Sequence, residues 1–162
     1  MDIRLIEDSH WNDILAIQAK AYHEVDLETL DVLKSKQSAS PETCFVCVSE
    51  QGETLGYLLA HPWSESEPPK LFVPLLANEN SESLYLHDMA VSPHLKGQGI
   101  GRAMLAKLIK VAHSKGVKNI TLVAIQGADS FWSSLGFKVR LGAKISSTYG
   151  EKAVFMERII VA

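Results

Sequence analysis

Three observations predict an α/β fold built on a mixed sheet. Residues 83–91 read as a strand that runs through a glycine-rich turn into a helix reaching His113. A buried strand follows at Asn119–Ile125, and the segment 44–61 holds two apolar strands joined through Gln51-Gly52. Strand, helix and strand make one crossover unit, while the Gln51-Gly52 turn makes a hairpin, so both kinds of connection serve the same sheet.

The remaining elements follow in order. Ile3-Arg4-Leu5-Ile6 predicts a first strand. Asp8 or Ser9 then caps a helix whose apolar residues Trp11, Ile14, Leu15, Ile17 and Ala21 recur at helical spacing. A second short helix fits Leu27 to Leu33, and Ser38 to Pro41 break the pattern. Cys44–Ser49 and Leu55–His61 are the hairpin strands. Pro62 to Glu82 reads as a loop, with a short strand at Leu71–Leu75. Beyond the glycine turn, Ile100, Met104, Leu105, Leu108 and Ile109 give the helix its apolar face, and Gly116 is its C-cap. Ala128–Leu135 predicts a short helix; Phe137–Leu141 and Ala153–Ile160 close the chain as two strands.

With 162 residues, 46% of them hydrophobic and 22% charged, the chain is expected to form one globular domain spanning 1–162. A net charge of −3 argues against nucleic acid, whose phosphate backbone needs clustered Lys and Arg. No stretch approaches the roughly 18 uncharged apolar residues of a membrane span, and Met1-Asp2-Ile3-Arg4 lacks the basic and apolar regions of a secretory signal. These readings predict a cytoplasmic protein with no membrane partner. Cys44 and Cys47 form a Cys-x-x-Cys, but on a strand residues three apart face opposite sides, so two packed free thiols are expected rather than a redox or metal pair. No metal-ligand cluster or nucleophile elbow is found, which predicts chemistry without a metal or a covalent intermediate.

The stretch Val91-Ser92-Pro93-His94-Leu95-Lys96-Gly97-Gln98-Gly99-Ile100-Gly101-Arg102 carries most of the functional signal. Glycines ahead of a helix leave its first N–H groups free, and the partial positive charge there suits a phosphate or pyrophosphate. A dinucleotide site would space its glycines as Gly-x-Gly-x-x-Gly, and a nucleotide triphosphate loop would end in Gly-Lys-Ser/Thr; neither spacing occurs.

The pattern Lys96-x-x-Gly99-x-Gly101 after a strand ending in Val91-Ser92-Pro93 resembles motif A of the GCN5-related N-acetyltransferase (GNAT) superfamily. Lys96 stands where the family usually has Arg or Gln; it keeps the charge and loses the planar fork. Phe131-Trp132-Ser133-Ser134-Leu135-Gly136-Phe137 resembles the family's second landmark, Phe-Tyr-x-x-x-Gly-Phe, and the element order fits across nearly the whole chain. The resemblance implies a mostly antiparallel sheet of six to seven strands, splayed between the fourth and fifth and flanked by about four helices.

It further implies acetyl-CoA as the donor and co-substrate. The pantetheine arm would pair with Met89, Ala90 and Val91, and the pyrophosphate would meet Lys96, Gly97, Gln98, Gly99, Ile100, Gly101 and Arg102. The backbone N–H of Met89 would serve as the oxyanion donor. His87 stands where aralkylamine N-acetyltransferases, with a similar His-x-Leu-Ala-Val run, have a histidine implicated in proton removal. Asp88 would face the other side of an ideal strand, a constraint that a bulge would loosen, and Tyr85 would share the His87 face.

Trp132 replaces the family's usual tyrosine acid, and an indole donates a hydrogen bond without shuttling a proton. Tyr149, Ser133 and Ser130 are the alternatives, beside a thiolate that leaves unaided or takes its proton from water. A small-molecule primary amine is the expected acceptor. A protein lysine or N-terminus, and a non-catalytic acyl-CoA-binding module, are the rival readings; a homodimer is compatible with all three. Tyr22, Trp63, Phe72 and Trp132 are candidate walls of the acceptor site, and Glu65, Glu67, Glu79 and Glu82 candidate attractors of a cationic amine. Trp11 and Phe155 are expected in the core.

Overall fold

The strand Cys44–Val48 is apolar at every position, and it has two helical layers to face. A computed structural model describes residues 1–23, 25–75 and 80–160. Seven strands form one sheet: β1 (Asp2–Leu5), β2 (Cys44–Val48), β3 (Thr54–Pro62), β4 (Ser83–Val91), β5 (Asn119–Ala124), β6 (Lys138–Val139) and β7 (Val154–Ile159). Their spatial order is β1-β2-β3-β4-β5-β7-β6, and among the described residues the β4–β5 pair alone is parallel.

On one face, α1 (Trp11–Ala21) and α2 (Leu30–Ala39) cover Cys44, Val46, Tyr57 and Leu59 through Trp11, Ile14, Ile17 and Leu33. On the other, α3 (Ile100–Ser114) and α4 (Asp129–Ser134), with its C-cap Leu135, cover Phe45, Cys47, Leu58 and Ala60 through Met104, Leu108, Trp132 and Leu135. Cys44 and Cys47 fall in different layers, as strand alternation requires, and both are buried free thiols. Trp11 and Phe155 are buried as expected. No helix among the described residues is long and apolar enough to cross a membrane.

Four local expectations are corrected. Asp8 and Ser9 lie inside a 3-10 turn (Asp8–His10) whose N-cap is Glu7, so neither caps α1 itself. The second helix starts at Leu30, where Thr29 Oγ1 accepts the Val32 N–H at 3.5 Å, and it continues through Ser38 to Ala39, because Val32, Leu33 and Lys36 share one buried face. Leu71–Leu75 forms no strand; Phe72 sits in a turn at φ 69°. The strand expected at Phe137–Leu141 is limited to Lys138–Val139, while Phe137 packs instead into the α3 and α4 layer.

Candidate active site

The turn expected to hold an anion has the backbone that such a role needs. Gly97 and Gly99 adopt φ 84° and 80°, a left-handed conformation that side chains with a Cβ resist. Gly99 is the N-cap of α3, and the Ala103 N–H makes the first helical bond to its carbonyl at 2.9 Å. The N–H groups of Ile100, Gly101 and Arg102 therefore have no acceptor one turn back, and the helix dipole adds positive potential there. Gly101 is constrained differently: a Cβ there would lie 3.0 Å from Met89 Cε, the far end of a flexible side chain that would have to shift. Lys96, Gly97, Gly99, Ile100, Gly101 and Arg102 all line one cleft; Gln98 is exposed and does not.

That cleft, of about 670 Å³, lies where the central strands part. β4 and β5 pair only from Ser83–Tyr85 to Asn119–Thr121. Beyond this point β4 stays with β3 as far as Val91, and β5 stays with β7 as far as Ala124. Met89, Ala90 and Val91 from β4, Leu122 and Val123 from β5, and Ile125 just after it line the cleft. Trp132 also lines it, 8% exposed and stacked edge-on against Phe131 and Phe137 at 5.2 and 5.4 Å.

β4 carries a bulge at the heart of the site. Leu59 pairs with Asp88 but Ala60 pairs with Leu86, which leaves His87 as an inserted residue. Two consecutive side chains consequently face the same layer, and His87 and Asp88 both line the cleft. The ideal-strand expectation that they point apart is thereby corrected. His87 Nε2 lies 2.5 Å from Glu28 Oε1, and Asp88 accepts the hydroxyls of Tyr22 (2.5 Å) and Tyr57 (2.6 Å). The Tyr22 oxygen is also 2.9 Å from the Met89 carbonyl.

Burial raises the Asp88 carboxyl to about 6, against the pull of its two tyrosine donors and of His87. Burial also raises Glu28, but the hydrogen bond and charge of His87, with the Phe72 N–H and Lys36, bring it below the ordinary carboxylate value. Burial lowers His61 to about 3, so its ring is neutral. Tyr149 is buried, and its hydroxyl donates to the Pro69 carbonyl; Tyr85 then supplies the proton of the 3.0 Å bond between the two tyrosine oxygens. Its proton is thus already committed, and Tyr149 ties the connection before β7 to the 62–75 loop. Ser130 and Ser133 are exposed on α4 and do not line the cleft, contrary to expectation.

Of the other candidate acceptor walls, Tyr22 lines the cleft while Trp63 and Phe72 do not. Trp63 donates its indole N–H to the Glu67 carbonyl at 2.8 Å, and Phe72 contributes its backbone N–H to Glu28 Oε2 at 3.0 Å. Glu65 and Glu67 are exposed away from the cleft, Glu82 pairs with Lys118 at 3.3 Å, and Glu79 lies outside the described residues. The carboxylates at the cleft are instead Asp26, Glu28 and Asp88.

Glu28, His61 and Tyr57 were missed from the sequence. His61 left a signal, since it continues the alternation Tyr57, Leu59, His61 on the α1 and α2 face of an apolar strand. Glu28 left none, being in a connection and 59 residues from its partner.

The raised Asp88 value carries a stability consequence with a definite sign. A folded value near 6 against an ordinary 3.8 means that the native state binds this proton more tightly, so the penalty grows as pH rises from about 4 to 6 and is complete above 6. Asp88→Asn is expected to increase unfolding free energy at pH 8 by up to about 3 kcal/mol, a gain that vanishes below pH 4. Urea unfolding of both proteins at pH 8 and pH 4 tests this, and an equal gain at the two pH values contradicts it.

Comparison with known proteins adds a family context. A family model described as Acetyltransferase (GNAT) family matches residues 11–137. Among curated proteins, the Glycine max "Probable acetyltransferase TAP2" is 27% identical over 106 residues, 64% of this chain; the chain spans 41% of that relative's length. Among solved structures, a GNAT-like decarboxylase, GphF, in complex with isobutyryl-CoA superposes with a TM-score of 0.84 at 15% identity, over 99% of this chain and 100% of that one. The ribosomal-protein-S18-alanine N-acetyltransferase from Escherichia coli superposes with a TM-score of 0.69 at 20% identity, over 99% and 94%.

Proposed function

The chain belongs to the GNAT acetyltransferase family, and from that premise we propose that it is an acetyl-CoA-dependent N-acetyltransferase acting on a small-molecule primary amine. Residues 1–162 form one such domain in this reading, since strands from Asp2 to Ile159 share a single sheet. The observation that carries it is a continuous cleft with the glycine turn at one end, the β4–β5 gap in the middle and the Glu28, His87 and Asp88 cluster at the other. A pyrophosphate suits the first, an extended pantetheine arm the second, and a cationic amine the third.

Acetyl-CoA is a substrate here. The free N–H groups at the start of α3, with Lys96 and Arg102, hold its phosphates. The backbone of Met89 to Val91 aligns the pantetheine, and the Met89 N–H receives the thioester oxygen as it gains charge. The amine arrives as an ammonium and must lose one proton before its lone pair can attack. His87 is the group we assign to that proton. Attack forms the C–N bond, collapse breaks the C–S bond, and the second nitrogen proton goes to the departing thiolate. This balance needs no tyrosine at the position of Trp132.

A small acceptor is favoured over a peptide by how the cluster is enclosed. Glu28 is tied to Phe72 and Tyr149 to Pro69, so the segments 25–29, 63–75 and 140–153 are joined over Tyr85 and His87. The test is CoA release over a panel of small primary amines, peptides with a free N-terminus and lysine peptides. Turnover on small amines is expected. Turnover confined to peptides overturns the acceptor class, and tight acetyl-CoA binding without turnover on any acceptor makes the chain a binding module.

A further inference from the structure

Gln126, at the edge of the cleft, holds a backbone conformation that its residue type resists. The Ile125 carbonyl accepts the Ala128 N–H at 3.0 Å, and the two residues between them, Gln126 and Gly127, have φ of 54° and 77°. A tight turn with two positive φ values takes Gly, Asn or Asp most readily. A longer side chain kept in the left-handed region beside a site points to a use for that side chain.

The Gln126 amide reaches the end of α1, 103 and 105 residues away in the chain. The Ala21 carbonyl closes that helix and has no donor within it, since the chain turns extended at Tyr22. Gln126 Nε2 donates to this carbonyl at 3.2 Å, and Gln126 Oε1 accepts the His23 N–H at 2.9 Å. Between the two, the Tyr22 hydroxyl donates to Asp88 on β4. Residues 21–23 are thus fastened to both sides of the β4–β5 gap, the outer two to the turn after β5 and the middle one to β4. At the far end of the same connection, Gln18 exchanges two bonds with the Glu28 backbone at 3.1 and 3.2 Å. Two glutamine amides therefore hold the two ends of the 22–28 connection, and Val25, Asp26 and Leu27 between them line the cleft.

We propose that Gln126 is a positioning residue for the acceptor: by tying the end of α1 to the turn after β5, it fixes the 22–28 connection as the wall against which the amine is seated. The inference rests on the N-acetyltransferase reading of the cleft. Gln126 acts through the connection and not on the reacting atoms. The donor groups assigned above belong to β4 and the start of α3, which the Gln126 amide does not hold, so loosening this wall weakens the hold on the amine and spares the donor.

Gln126→Gly suits the left-handed turn and removes both bonds. It is expected to raise the KM for the amine about 10-fold, with kcat at saturating amine and the KM for acetyl-CoA each within about threefold of native. Gln126→Asn also suits the turn but is one methylene too short for the span, and it is expected to move the amine KM in the same direction. An unchanged amine KM in either folded variant, or an equal rise in both KM values, overturns the proposal.

A measurement on the resting protein separates this inference from the function it rests on. Amide hydrogen exchange at His23 is expected to be about 10-fold faster in Gln126→Gly than in the native chain, while the Glu28 amide, held by Gln18, exchanges as before. Equal exchange at His23 in the two proteins overturns the positioning role whether or not any amine turns over. The expected exchange without turnover on any amine overturns the enzyme reading alone.

Discussion

His87→Gln lowers kcat for acetyl transfer about 100- to 1,000-fold while acetyl-CoA binds within about twofold of its native affinity; this is the largest expected effect in the molecule. The reason is positional. His87 is the inserted residue of the β4 bulge, its side chain is closed off from solvent, and its Nε2 is already engaged by Glu28. A glutamine fills the same space and bonds the same carboxylate, yet it accepts no proton at ordinary pH. Because the glycine turn and the β4–β5 gap are untouched, the donor still binds. Rates measured across pH 6 to 9, with acetyl-CoA affinity as the control for folding, decide the point. An unchanged kcat with an unchanged profile removes His87 from proton transfer and leaves Asp88, also at the cleft and raised to about 6, as the group to examine.

Gly99→Val carries the second large effect, on binding instead of chemistry. Gly99 sits at φ 80° with open space where a Cβ would stand, so the cost comes from the backbone and not from a clash. A left-handed conformation costs a non-glycine residue roughly 1–2 kcal/mol, more for a β-branched one, and the turn relieves this strain by rotating the first N–H groups of α3 off their common direction. At about 1.4 kcal/mol per factor of ten, the KM for acetyl-CoA is expected to rise about 10- to 100-fold with kcat at saturation changed far less. Gly52→Val is the matched control, with φ 82° and equally open space in the turn between β2 and β3. It is expected to cost similar stability and leave the KM alone. If both variants shift the KM equally, the turn before α3 has no special part in donor binding.

Much of this site can be read along the chain because it is local. Gly97, Gly99 and Gly101 lie between a strand and a helix that hydrophobic spacing identifies on its own, and the backbone they require follows from residue type. The landmark at Phe131–Phe137 is similarly compact. Trp132 lies at the cleft as the motif implies, whereas Gln98, within the same turn, points to solvent. Motif membership assigns a stretch of backbone; it does not assign each side chain.

The acceptor end was less legible. A period of two predicts that His87 and Asp88 face apart, and nothing in Ser83–Val91 marks the residue that breaks this period, since the bulge is a property of how β4 registers against β3. Glutamates are frequent in the loop before β4, yet the carboxylates at the cleft are Asp26, Glu28 and Asp88. Tyr149, expected near the reaction, lines the cleft with its hydroxyl proton given to Pro69, a residue far away in sequence.

The sequence by itself determined the order of the seven sheet strands, the two-sided burial of β2, the opposite placement of Cys44 and Cys47, and the glycine turn that opens α3. Each depends on torsional preference or on the period of apolar residues within one segment, and such information is complete at short range. Only the tertiary structure decided that His87 and Asp88 share a face, that Glu28 from the connection after α1 reaches His87, and that His61 lies beside it with an unpartnered nitrogen. Those contacts arise from strand register and from the packing of segments brought together by burial, and no local preference encodes either.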